Sequence, residues 1–239
     1  MMKILPVILI ALSLGSTSVH AQAPTPEPDK PKRTTLKGLV INHENQSVDI
    51  QAKVVLRDGD WLELLLCTPG TKEHESILTT TAKPSHIHLA LIMLGLKPGN
   101  PMTGKKIGNE LKITEAKGPL VAIDLIYEHQ GLKHHVHANQ WIYNKTTQAS
   151  LKDHYWLFTG SSFLKNQDPP IYRADANGSV ITLVHFGDDL LARHTQLTSR
   201  NDNADWQAQT KKIPPIGTPV TVRLTPIKSL PKKTQPKTP

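Results

Sequence analysis

The chain has 239 residues, a single cysteine, few aromatic residues and a formal charge of +8, from 28 Lys and Arg against 20 Asp and Glu. One cysteine excludes an internal disulfide and any zinc site built from several thiolates. Part of the positive excess falls near the end, at Lys228, Lys232, Lys233 and Lys237. No basic stripe with interleaved aromatics runs through the body, so nucleic acid is not expected as a partner.

Lys3, the apolar run Ile4 to Leu14 and the small, polar stretch that follows have the order of a signal peptide, with cleavage expected after Ala21 of Val19-His20-Ala21. The mature protein is therefore expected outside the cytoplasm, periplasmic or secreted. No later run approaches the roughly 20 apolar residues of a membrane-spanning helix. Residues 22–35 read as a linker rich in proline and charge, residues 36–226 as one folded domain, and residues 227–239 as a basic proline-rich disordered tail. Such tails would make weak, salt-sensitive contact with anionic envelope surfaces.

Within the body, apolar and polar residues alternate as in half-buried strands. Strands are predicted over residues 36–42, 49–56, 61–67, 75–81, 120–128, 135–143, 155–159, 180–186 and 220–225, with turns at Asp58-Gly59, Gln130-Gly131 and Asn177-Gly178. Pro84 to Leu96 breaks the pattern. Proline suits a first helical turn, Ile87, Leu91 and Leu94 recur at helical spacing, and Gly95 and Pro98 stop the run. A second, short helix is predicted over Asp188 to His194. The expected fold is α+β, a largely antiparallel sheet with one main helix (about residues 84–96) packed on it.

The densest polar stretch runs from Cys67 to His88. A continuous apolar strand leads into the Pro69-Gly70 turn, and Lys72-Glu73-His74-Glu75 follows at once. If this block is extended, Glu73 and Glu75 share one face and His74 takes the other. On the helix, His88 lies one turn from Leu91 and Ile92, whereas His86 falls near the start.

Three chemistries remain open for this corner. Cys67 can be a buried small residue among ion pairs and hydrogen-bonded histidines. His74, His88 and a carboxylate can hold a divalent metal such as zinc or copper, with Lys72, Glu73 and Glu75 binding a small polar ligand. Cys67 can also be a nucleophile activated by His74 or His88, as in a thiol-dependent hydrolase or transferase. A second group, His134, His135 and His137 with His129, is a possible surface metal site, but surface-exposed polar decoration is the preferred reading, since no carboxylate or cysteine is interleaved with it at ligand spacing. No phosphate-binding glycine loop, GxSxG, HExxH or CxxC occurs, which removes the commoner nucleotide enzymes, serine hydrolases and zinc proteases.

LELLLC (Leu62 to Cys67), GTKEHESIL (Gly70 to Leu78), PSHIHLALIMLGLKPGNP (Pro84 to Pro101), WLFTGSSF (Trp156 to Phe163) and IPPIGTPV (Ile213 to Val220) resemble the bacterial YdjY-domain family of exported proteins. The resemblance runs from about Gly38 to Pro226 and is most specific at KEHES and the histidine-bearing helix. It implies a secreted, mixed α/β domain in which Lys72, Glu73, His74, Glu75 and His88 belong to a shared pattern, and it brings no activity with it. The expected function is an exported binding module for a metal ion or small polar ligand at the Cys67 to His88 corner. A thiol enzyme and a structural envelope protein are the alternatives.

Overall fold

The computed structural model describes residues 32–59, 61–152, 154–164, 166–194 and 205–228. The expected signal peptide, most of the first linker and nearly all of the tail lie outside the described residues.

Eight strands close into a barrel: β1 (Ser47–Val54), β2 (Leu64–Cys67), β3 (Ser76–Thr79), β4 (Leu120–His129), β5 (Tyr155–Phe158), β6 (Ser179–Thr182), β7 (Leu191–Ala192) and β8 (Pro219–Pro226). Around the ring the order is β1, β8, β4, β5, β7, β6, β2, β3 and back to β1. Pairing is antiparallel except for β6 with β7 and β2 with β3. The expected open sheet with a helix packed on it is thus corrected to a closed barrel. Closure depends on Lys53 opposite Thr79 and Val54 opposite Leu78. Alternation reports which face of a strand is buried, not which sheet edges meet, so this register is invisible to it.

β4 shows the alternation plainly: Val121, Ile123, Leu125 and Tyr127 are buried, while Ala122, Asp124 and Ile126 between them are partly exposed. The inward residues join Trp141, Trp156 and Phe158 in one core. Two strands serve double duty along a single edge. The first half of β1 pairs with Leu39–Asn42 and its end with β3; the start of β4 pairs with β5 and the rest with Leu132–His137. The Gln130-Gly131 turn closes the latter hairpin, as predicted.

All four residues of β2 are buried, which explains its unbroken apolar run: neither face is left to solvent. Parallel strands need a return crossover, ordinarily a dozen residues or more. Between β2 and β3 residues 68–75 suffice, because a tight turn at Pro69-Gly70 leads into a single 3-10 turn, Glu73–Glu75. That turn corrects the extended reading of the block, and with it the shared face of Glu73 and Glu75.

The main helix, α1 (Pro84–Met93), begins at proline as predicted and stops before Gly95. Ile87, Ala90 and Leu91 enter the core, while Leu89, Ile92 and Met93 stay exposed. Its own N-cap, Lys83, makes no side-chain capping bond. Asp175 of the short helix α2 (Arg173–Asn177) takes that role, accepting from the Ser85 backbone N–H at 2.8 Å and the Ser85 hydroxyl at 2.6 Å. The helix expected over Asp188 to His194 is replaced by β7. Asp189 accepts the backbone N–H groups of Phe186 and Gly187 and so ties a tight turn ahead of that strand.

Candidate functional site

The corner is organised by the crossover. Glu73 accepts the backbone N–H groups of Gly70 (2.8 Å) and Thr71 (3.1 Å), so its carboxylate is spent on fixing the turn. Lys72 reaches back over β2 to β6, where its Nζ lies 2.6 Å from Ser179 Oγ and 3.9 Å from the centroid of the Phe186 ring. An ammonium held by a buried hydroxyl and an aromatic face binds the crossover to the barrel wall.

Ser179 sits directly opposite Cys67. Beside it, Gly178 ends α2 with φ +76°, and a Cβ there would lie 2.2 Å from Thr71 Oγ1 and 2.7 Å from Thr68 Oγ1. Only glycine allows both the left-handed conformation and this close approach.

Glu75 meets a residue the sequence reading passed over. Glu63 donates its backbone N–H to the Glu75 carbonyl at 3.0 Å. Burial, then the charge and hydrogen bond of Glu75, push the Glu63 carboxyl up to about 7, partly offset by Lys72. The Glu63 carboxyl is therefore partly protonated near neutrality. Glu63 lies just before an apolar run and four residues before Cys67, so nothing in spacing marks it; only the parallel pairing of β2 and β3 brings it to Glu75.

Cys67 is fully buried and free, and burial pushes its thiol above the ordinary value. His74 is largely exposed, with Nε2 3.8 Å from Glu75 Oε2. His88 has other company. Tyr172 donates its hydroxyl to the Gly160 carbonyl at 2.8 Å, so His88 Nδ1, 2.8 Å from the same oxygen, carries the proton and donates to it. Phe158 and Tyr172 meet the imidazole edge-on, and burial pushes its pKa down, which keeps it neutral. Cys67, His74 and His88 thus have separate sets of partners. Among the described residues, as the side chains stand, no three His, Cys, Asp or Glu form a group ready to hold a metal ion.

Two clefts open where the β2 turn approaches the start of α1. One, about 280 Å³, is lined by Thr68, Pro69, Thr80, Thr81, Ala82, Lys83, Pro84 and Asp175. The other, about 250 Å³, is lined by Gln51, Ala52, Lys53, Pro69, Thr79, Thr80 and Thr81. Pro69, Thr80 and Thr81 border both. The threonine run 79–81 was legible as the end of a strand but carried no signal as a cleft wall.

No curated protein and no solved structure matches the chain. The profile of the YdjY domain matches residues 39–225, from the strand that precedes β1 to the penultimate residue of β8. The chain belongs to the YdjY-domain family.

Proposed function

We propose that the protein is an exported binding module that takes a small polar ligand in the paired clefts beside Pro69, Thr80 and Thr81. The observation carrying this reading is their lining: Thr68, Thr81, Gln51, Lys53 and Lys83 border two adjoining concavities, while the Thr79 and Thr80 hydroxyls already donate to the Cys67 and Gln51 carbonyls and the Asp175 carboxylate is engaged by Ser85. Hydroxyl and ammonium donors without an aromatic wall suit a compact, oxygen-rich ligand carrying negative charge. In this reading Lys72, Glu73 and Glu75 do not grip the ligand. They hold the crossover whose Pro69-Gly70 turn forms the shared wall.

The thiol-enzyme alternative is less well supported, because full burial and a raised pKa deny Cys67 the exposure and thiolate character of a nucleophile. Export rests on the signal-peptide pattern of the first 21 residues.

Amide chemical shifts of the mature protein titrated with phosphate, citrate and glucose test the binding reading. A saturable shift confined to residues 51–53, 68–69 and 79–84, lost in Thr81→Val and Lys83→Ala, is expected; no shift there with any of the three would overturn it. Export is checked by the N-terminus of chain recovered from the periplasm of a bacterial host, which should begin at Gln22.

A further inference from the structure

The outer face of the barrel carries a charged row that crosses four neighbouring strands in register. Asp49 on β1 stands opposite Arg223 on β8, Arg223 opposite Asp124 on β4, and Asp124 opposite His137 on Leu132–His137. Arg223 holds Asp49 through two bonds of 2.7 Å each. Two carboxylates and one guanidinium leave the row one positive charge short.

Two imidazoles lean on the surplus carboxylate. His137 Nδ1 lies 2.5 Å from Asp124 Oδ1, and His135 Nε2 lies 3.5 Å from Asp124 Oδ2. Residues two apart on a strand project from the same face, so both reach one acid. His154 adds a third imidazole, its ring centroid 5.3 Å from that of His137. The carboxylate missing from the histidine stretch in the sequence is thus supplied by the paired strand.

We propose that Asp124, His135 and His137, with His154 beside them, form a surface site for a borderline divalent cation such as Zn²⁺. Zinc bonds to imidazole and carboxylate are about 2.0–2.2 Å long, which places neighbouring donor atoms roughly 3 Å apart. Separations of 2.5 and 3.5 Å bracket that spacing. The donors do not yet enclose an ion. The imidazoles are 58% and 55% exposed and can swing, while Asp124, at 16%, is held between Arg223 and the hairpin. Binding exchanges the His–Asp contacts for metal bonds and supplies the missing positive charge. Three imidazoles and one carboxylate favour zinc or copper over magnesium or calcium.

Isothermal titration of the metal-free full chain with Zn²⁺ alone, at pH 7.5, tests the site. One equivalent should bind, with affinity falling at least tenfold in His135→Ala, His137→Ala and Asp124→Asn and unchanged in His74→Ala and His134→Ala. Far-ultraviolet circular dichroism confirms that each variant is folded. Absence of a one-equivalent isotherm, or an isotherm that survives His135→Ala/His137→Ala in the folded double variant, overturns the proposal. So does loss of binding in His74→Ala instead, which would move the metal to the crossover.

Discussion

Lys72 Nζ lies 2.6 Å from Ser179 Oγ, joining the middle of the β2–β3 crossover to a residue of β6 that is wholly buried. Removing the ammonium in Lys72→Met leaves the serine hydroxyl without this partner and uncovers the Phe186 ring, at a cost of about 1–3 kcal/mol. Ser179→Ala should recover part of that loss in the Lys72→Met background. Urea denaturation of the two single variants and the double variant measures the coupling; strict additivity would show that the contact contributes nothing.

Glu63 makes stability depend on pH in an unusual direction. Its carboxyl titrates near 7 in the folded chain, above the ordinary value of 4.5. The folded state therefore holds the proton more tightly than the unfolded chain does, so this contribution is fully present below pH 4.5 and is lost as pH rises towards 7. Glu63→Gln should flatten the slope and raise the melting temperature at pH 8, a stabilisation of about 1 kcal/mol once solvent screening of a half-buried group is allowed for. Melting curves from pH 4 to 8 decide it, and a wild-type curve that rises steadily through this window with no change in Glu63→Gln would refute it.

A thiol this deeply buried should be chemically silent. Iodoacetamide at pH 8 is expected to leave Cys67 unmodified for hours in the native protein and to alkylate it within minutes in 6 M guanidinium, as intact mass will show. Rapid native labelling would restore the nucleophile reading.

Gly178 faces both a backbone and a space constraint. Gly178→Ala should destabilise by about 2 kcal/mol or more, since the methyl group must displace Thr71 while the backbone stays left-handed. Gly131→Ala, in a turn with nothing near the would-be Cβ, carries only the backbone strain and should cost roughly 1 kcal/mol. Thermal melts of the pair separate the two effects.

Asp175→Ala should cost about 1 kcal/mol, the usual worth of an N-cap, and hydrogen exchange should quicken in the first turn of α1. Unchanged protection at Ser85 would show that the helix start is held by packing alone.

Strand-by-strand alternation was sufficient to place β1, β4 and β8, because each keeps one face in the core and one outside. It could not show that β1 and β3 meet, nor that β2 is covered on both faces. The polar block 72–75 stands out in the sequence, yet its surroundings depend on partners far away in it: Ser179 for Lys72 and, through parallel pairing, Glu63 for Glu75. Histidines 135 and 137 looked like decoration for want of a carboxylate among them. Asp124 stands across the ladder, where a list of neighbours in sequence does not reach.

β8 is the last strand of the barrel in chain order, and it lies between the first, β1, and the central β4. Until residues 219–226 arrive, β1 and β4 have no common neighbour and the ring remains open along that side. Such long-range pairing makes folding slow and postpones it to the end of chain delivery.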